Sequence, residues 1–126
     1  MDVSEKFKTQ LRAWLTANCP PSMHTPLPEA EAPLGGSKVP PANPDTQLWL
    51  DRCAAEGLTL PAVPKEYGGA GLSIAEANWF YEELDRLRMR VPLMGISTGM
   101  LAPTLMQFGT EAQKLHYLPR IASGEL

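Results

Sequence analysis

A glycine-rich run, PKEYGGAGL at residues 64–72, is the first candidate for chemistry, since closely spaced glycines can turn backbone amides toward a phosphate. Its context argues against that use. No predicted strand precedes it, the G-x-G-x-x-G spacing is missing, and no lysine–serine pair follows. Gly68, Gly69 and Gly71 permit positive backbone angles, so we interpret the run as a tight turn that fixes the angle between two helices.

Three carboxylates could in principle serve as a general base: Glu66, Glu82 and Glu83. Because charged residues are seldom buried without partners, we interpret all three as surface charges.

Three arginines, Arg86, Arg88 and Arg90, lie close together and could attract an anionic group such as a nucleotide phosphate. A solvated helix end near the negative pole of its dipole explains the same bias, and both interpretations stay open.

Cysteines and histidines give no sign of a metal site. Cys19 and Cys53 lie far apart without CxxC spacing, so we predict reduced packing thiols and no metal. His24 and His116 belong to no motif typical of a ligand or a base. The three tryptophans, at positions 14, 49 and 79, are interpreted as packing residues before stacking partners of a cofactor.

Helices must position these residues. A first helix is predicted from the N-cap Ser4 to about Asn18, because apolar residues recur at helical spacing until Cys19-Pro20-Pro21 stops it. Eight of the 13 prolines then fall within residues 20–44, which predicts a long irregular surface excursion with partial disorder.

Asn43-Pro44 begins a second helix that ends at Gly57. Its predicted buried face is Leu48, Trp49, Cys53 and Ala54.

Ser73 and Glu76 form a capping box that opens the strongest helix. Its predicted buried stripe is Ala77, Phe80, Tyr81, Leu84 and Leu87. The charged residues between them, at positions 82, 83, 85, 86 and 88, are expected to be mostly solvated.

Residues 93–108 are apolar nearly all round, so we expect a buried helix that Pro103 breaks or kinks. Thr110 opens a last helix with a second capping box, and Gly124 ends it. Its predicted inward residues are Leu115, Leu118 and Ile121.

No segment alternates apolar and polar residues, so we predict an all-α bundle of about five helices with a long proline-rich connection, in one domain over residues 1–126. A net charge of −3 and a pI near 5.3 provide no basic surface for nucleic acid. The apolar stretches are too short for a membrane span, and the N-terminus lacks a secretory signal, so we expect a cytoplasmic protein.

Several short motifs resemble the acyl-CoA dehydrogenase family, in its order and approximate spacing. They are the glycine-rich run, the acidic helix with EEL at residues 82–84, APT at 102–104, FGTE at 108–111, LP at 118–119 and SGE at 123–125. The resemblance is to the N-terminal helical domain of these enzymes. It covers residues 57–126 well and the first helix loosely, and the proline-rich excursion is longer than in many relatives.

The resemblance implies α,β-dehydrogenation of an acyl-CoA thioester, with flavin adenine dinucleotide (FAD) as cofactor and an electron-transferring flavoprotein as acceptor. It also implies an oligomeric enzyme. In this family, the catalytic carboxylate belongs to the C-terminal helical domain or its equivalent, and most flavin contacts come from the central β-domain and the C-terminal helices. Both domains would follow residue 126. We therefore expect no catalytic residue in this chain, assign no flavin-binding residue, and expect the fragment to be inactive alone.

The resemblance further places residues 91–99 at the distal end of the acyl-chain cavity. The candidate substrate-binding residues are Val91, Pro92, Gly95, Ile96 and Gly99. Small residues there imply a roomy pocket for long, branched or ring-bearing acyl groups. Glycines four apart on a buried helix permit close helix packing equally well, so that alternative stays open.

A second function is also compatible with the sequence: a non-catalytic helical interaction or assembly subunit that retains the fold. The two hypotheses differ in whether the reading frame continues after Leu126 into a β-domain. A domain separated from its neighbours would also expose apolar surface, which predicts self-association.

Overall fold

Five α-helices form the fold in the computed structural model, which describes residues 3–36, 41 and 43–126. They are α1 (Glu5–Asn18), α2 (Pro44–Ala55), α3 (Ile74–Arg86), α4 (Ala102–Phe108) and α5 (Glu111–Ala122). Short 3₁₀ turns occur at Pro21–His24, Glu29–Glu31 and Lys65–Tyr67, and the described ranges contain no strand beyond one isolated bridge between Leu34 and Met94. The predicted all-α fold is confirmed.

The helix starts follow the predicted caps. Ser4 Oγ accepts a hydrogen bond from the Phe7 amide at 3.2 Å, and Asn43 caps α2. Both capping boxes form, from Ser73 with Glu76 on α3 and from Thr110 on α5. These local bonds satisfy amides that a helix N-terminus otherwise leaves unpaired.

The proline-rich segment packs onto the fold instead of forming only a surface excursion. Met23, in its first 3₁₀ turn, is buried among residues of α1, α2 and α3. Part of the predicted disorder falls on residues 37–40 and 42, which lie outside the described residues.

A first core joins α1, α2 and α3. Trp49 lies at its centre and donates a hydrogen bond from Nε1 to the Arg90 carbonyl oxygen at 2.8 Å. Trp14 stacks on Trp49 with ring centroids 6.0 Å apart, and Trp79 packs edge-on against Phe7. The tryptophans are therefore packing residues, as predicted.

A second core lies between α4, α5 and the glycine-rich turn. Its buried residues are Leu60, Val63, Tyr67, Ala102, Leu118, Ile121 and Ala122. Leu58 and Ala70, from the same turn region, belong to the first core. The turn therefore joins the two cores.

Two glycines of the turn have the predicted positive φ, Gly68 at 93° and Gly71 at 67°. Gly69 differs, because a Cβ atom there would lie 2.0 Å from the Val63 carbonyl oxygen. Close backbone approach, and not a positive φ, requires a glycine at this position.

Three residues assigned to buried faces are exposed: Leu48, Tyr81 and Leu115. In α2 the core-facing leucine is Leu50. Helices at the surface of a small bundle bury a narrow stripe, so apolar residues at the edge of the stripe remain in contact with water.

Pro103 does not break its helix. A π-helical turn, Ser97–Leu101, leads directly into α4, and the Ala102 amide donates to the Ser97 carbonyl oxygen. Pro103 follows as the second residue of α4, and the helical run from residue 96 to residue 108 continues through it.

Candidate functional site

Arg90 anchors the segment that contains the candidate substrate-binding residues. Its guanidinium is buried and donates to the Thr25 carbonyl oxygen at 3.0 Å, to Thr25 Oγ1 at 2.7 Å and to the Pro26 carbonyl oxygen at 3.0 Å. Arg90 Nη1 also pairs with Glu31 Oε1 at 3.1 Å. These bonds hold the proline-rich segment against the chain that follows α3.

Val91 and Pro92 lie on the inner side of this anchored segment. Pro92 is fully buried and Val91 is half-buried, next to Met23 and Trp49. These two candidates contact the first core and present little surface to a ligand.

Gly95, Ile96 and Gly99 lie on the outer surface. Ile96 is 76% exposed, and a Cβ atom on Gly99 would meet nothing within 4 Å. Gly95 has a φ of +115°, and a Cβ atom there would lie 3.0 Å from Leu34 Cδ2. The five candidates thus divide between the interior and one exposed surface.

Residues 96–108, which continue from this surface along the chain, form an exposed apolar face. Phe108 is 77% exposed, and Met100 and Leu101 are also exposed. The expectation that residues 93–108 form a buried helix is therefore wrong for this chain alone. Contiguous apolar surface of this kind is typical of an interface or a ligand groove.

A groove of about 510 Å³ separates α3 from the π-helical turn and α4. Its apolar wall includes Ile74, Ala102 and Met106, and its polar groups come from Asn78, Tyr81, Thr59 and Thr98. No lysine or arginine lines it. Such a lining fits an apolar ligand or partner better than a phosphate.

Glu83 is buried, so the prediction that it is a surface charge is wrong. Its side chain is 2% exposed, and it accepts hydrogen bonds from Arg12 and Arg86. Burial alone would raise the pKa of Glu83, but these arginine contacts outweigh it and hold the pKa below its ordinary value. A paired, fully engaged carboxylate is unsuited to proton abstraction from a substrate.

The three arginines do not form one anion site. Arg86 pairs with Glu83, and Arg90 is buried against Glu31. Arg88 is exposed and donates no hydrogen bond to the described residues. The sequence did contain a signal for the burial of Glu83. This residue follows Phe80 by three positions and precedes Leu87 by four, so it lies on the apolar face of α3.

Both cysteines are free packing thiols, as predicted. Burial raises the pKa of each thiol, that of Cys19 to about 11, so neither is a nucleophile at neutral pH. Among the described residues, no cluster of His, Cys, Asp or Glu is arranged to hold a metal ion. Within the same ranges, no helix has both the length and the apolar character needed to cross a bilayer.

Known proteins show the same domain. Residues 4–125 match the family model described as acyl-CoA dehydrogenase, N-terminal domain. The acyl-CoA dehydrogenase IpdE1 of Mycobacterium tuberculosis is 37% identical over 118 residues, which are 93% of this chain and 29% of that protein. The acyl-CoA dehydrogenase FadE26 of the same organism is 30% identical over 122 residues, 97% of this chain and 28% of that protein.

Two solved structures share the fold. The ChsE4-ChsE5 complex from Mycobacterium tuberculosis matches with a TM-score of 0.63 and 28% identity, over 100% of this chain and 30% of that one. A structure named Tcur3481-Tcur3483 steroid ACAD matches with a TM-score of 0.62 and 27% identity, over 100% of this chain and 31% of that one. The chain spans under a third of the length of these relatives. It belongs to the acyl-CoA dehydrogenase family, as the N-terminal α-helical domain.

Proposed function

We propose that this chain supplies the N-terminal domain of a flavin-dependent enzyme that dehydrogenates an acyl-CoA thioester between its α and β carbons. The exposed apolar face of residues 96–108 carries the proposal, because an uncharged, solvent-facing surface is what a second domain, a flavin ring or an acyl chain would cover. The family assignment supplies the reaction class.

The division of labour follows from the residues present. A bound flavin would supply the hydride acceptor for the β carbon, and a carboxylate would take the α proton. Glu83 cannot be that carboxylate, since both of its oxygens are engaged by arginines, and Glu66 and Glu82 are exposed. This chain would instead orient the acyl group and exclude water from it, with the base on another domain.

The groove between α3 and α4 fits part of the flavin but not all of it. Its apolar wall and its side-chain amide and hydroxyl groups suit one face of a ring system, whereas the lining has no lysine or arginine to pair with the diphosphate. We therefore assign most FAD contacts to the flavin-binding and C-terminal domains of the complete protein.

The acyl group is proposed to be long, branched or ring-bearing. The exposed backbone at Gly99 leaves room for a wide acyl group between this domain and the domains that would cover it, and one structural relative is named as a steroid enzyme. Cavity width at a fixed backbone follows from side-chain volume, so a glycine facing the cavity admits a broad substrate.

The complete protein from its source cell tests the proposal. We expect stoichiometric bound FAD and oxidation of acyl-CoA thioesters, followed with a dye and then with an electron-transferring flavoprotein as acceptor. Residues 1–126 alone should show neither property. Flavin binding and turnover by the isolated domain would contradict the proposed division of labour.

A non-catalytic assembly subunit is the second candidate, favoured by the ChsE4-ChsE5 structure, which is named as a complex. Purification of the complete chain with and without co-expressed partner subunits separates the two. A chain that binds flavin and turns over acyl-CoA by itself is catalytic. A chain that only raises the activity of another subunit, and contributes no residue that contacts flavin in the complex, is an assembly subunit.

A further inference from the structure

Leu34 is an exposed apolar side chain on backbone that is held at both ends. It is 56% exposed, although the Met94 amide donates to the neighbouring Pro33 carbonyl oxygen at 3.0 Å. Two residues later, the Gly36 amide donates to the Gly124 carbonyl oxygen at 3.1 Å. The fold thus fixes the position of a leucine whose side chain contributes little to the core.

The neighbour of this leucine is Gly95. A Cβ atom on Gly95 would lie 3.0 Å from Leu34 Cδ2, so Leu34 occupies the space beside the glycine. Gly95 also has a φ of +115°, which side-chain-bearing residues rarely adopt. Backbone conformation and the contact with Leu34 therefore account for the glycine at this position, without a cavity.

Gly99 lies one helical turn further and has a different surrounding. Its amide donates to the Gly95 carbonyl oxygen at 3.0 Å, and no atom lies within 4 Å of where its Cβ would be. Of the two glycines, only Gly99 leaves open space.

We propose that Leu34 forms one wall of the acyl-binding surface and that Leu34 and Gly99 together select the acyl group. This inference rests on the proposed function. Leu34 borders the acyl-binding surface beside Gly95, and Gly99 leaves that surface open one helical turn away. Adding side-chain volume at either position therefore narrows the space for the acyl group. The proline-rich excursion is thereby a specificity element.

This surface has the apolar character that binding of an acyl group requires. Residues 91–101 contain no charged side chain, and the exposed Ile96 and Met100 continue the apolar character that Leu34 begins. Burying an apolar side chain against such a surface is favourable in proportion to the area removed from water.

The test uses Leu34→Trp and Leu34→Ala in the complete enzyme, with kcat/KM measured for butyryl-CoA and for a steroid acyl-CoA. Leu34→Trp should lower the steroid-to-butyryl ratio of kcat/KM at least about tenfold, and Leu34→Ala should change the ratio in the opposite direction. Leu48→Trp, on the exposed side of α2, is the matched control and should leave the ratio within about threefold.

The outcomes separate this inference from the function on which it rests. An unchanged ratio in both Leu34 variants, with flavin content and butyryl-CoA turnover retained, overturns the role of Leu34 and leaves the function intact. Equal losses for both substrates would show that Leu34 packs against another domain, which also overturns the inference. A wild-type protein without flavin or turnover overturns the function itself.

A labelling measurement needs no turnover. In a Leu34→Cys variant of the complete protein, maleimide should modify Cys at position 34 while Cys19 and Cys53, whose pKa burial raises, react slowly. Bound steroid acyl-CoA should slow the labelling of that peptide at least about tenfold, as followed by mass spectrometry. An equal labelling rate with and without saturating acyl-CoA would contradict the proposal.

Discussion

Glu83 joins two helices through one carboxylate. Its Oε2 atom accepts from Arg12 Nε at 3.1 Å and from Arg12 Nη2 at 2.8 Å, and its Oε1 atom accepts from Arg86. Arg12 also lies over the Trp79 ring, with Cζ 5.7 Å from the centroid. A buried carboxylate is tolerated because both oxygens have charged donors, so the arrangement fixes how α1 meets α3.

Replacing Glu83 with glutamine should destabilise the domain. Glutamine keeps the shape but loses the charge that both arginines pair with, so we expect the free energy of unfolding to fall by about 1–3 kcal/mol. Urea denaturation measures the change. The neighbouring Glu82→Gln, at an exposed position, is the control and should stay within about 0.5 kcal/mol of wild type. Equal stabilities for the two variants would contradict the role of the ion pair.

Stability should also depend on pH through this carboxylate. The arginines lower its pKa in the folded state relative to the ordinary value of 4.5, so its contribution is present above the unfolded pKa. It is lost as the pH falls through the lowered pKa. Stability measured from neutral to acidic pH should therefore decline less steeply in Glu83→Gln than in wild type, and parallel curves would show that other carboxylates dominate.

The sequence could not place this residue by composition or general burial tendency. Those arguments assign charged residues to the surface, and they fail where a distant partner such as Arg12 compensates the charge. The position of Glu83 on the apolar face of α3 can be read from the sequence, but no local pattern identifies its partner, an arginine 71 positions away. Arg90 escaped prediction for the same reason, since its partners lie in the proline-rich segment.

The glycine-rich turn is the element that connects the two cores. Backbone bonds close it tightly, including those from the Ala70 amide to the Leu60 carbonyl oxygen at 3.3 Å and from the Gly71 amide to Val63 at 2.8 Å. Side chains on both sides of this turn enter different cores. Its geometry therefore affects how α3 packs in one core and α5 in the other.

Gly69→Ala should damage this turn. The new Cβ atom would lie 2.0 Å from the Val63 carbonyl oxygen, and backbone atoms on both sides would have to move, so we expect a loss of at least about 3 kcal/mol in unfolding free energy.

The matched control is Gly99→Ala, which adds the same methyl group where nothing lies within 4 Å. It should stabilise the helix by about 0.5–1 kcal/mol, since alanine favours helical backbone more than glycine. Thermal unfolding of both variants measures the contrast. Similar melting temperatures would show that the turn relaxes to accept the methyl group.

Element boundaries were predictable because they depend on neighbours in sequence. Ser73 with Glu76, Thr110 with Gln113, and Asn43 all cap helices by bonds within three residues. Orientation was less predictable. Tyr81 is exposed and residues 96–108 are partly solvent-facing because the position of each helix against its neighbours decides burial, and a single helix does not encode that position.

At the scale of the whole molecule, residues 96–108 form an exposed apolar face. Ile96, Met100 and Phe108 present apolar surface to solvent, while α1, α2 and α3 bury their own first core. The two cores stabilise the domain, and the exposed apolar face favours association with other surfaces. In the proposed complete enzyme, other domains and the acyl group would cover it.

The isolated chain is therefore expected to self-associate. Sedimentation velocity over increasing concentration should show oligomers, and a double variant, Ile96→Ser with Phe108→Ser, should shift the population toward monomer by removing exposed apolar area. Leu48→Ser, which removes an exposed leucine from α2, serves as the control and should leave association unchanged. A clean monomer of the wild-type domain at all concentrations would argue against an adhesive face.

The π-helical turn Ser97–Leu101 holds one residue more than an α-helical turn does. Each residue of a regular α-helix advances the chain by about 100°, so an inserted residue there would rotate everything before it by that angle, whereas the wider turn absorbs the extra residue locally. A single-codon deletion within the turn would therefore restore α-helical spacing and leave Gly95 and Ile96 on the same side of the chain. We expect this turn to tolerate a change in length of one residue, whereas the same deletion within α4 would change which side chains reach the second core.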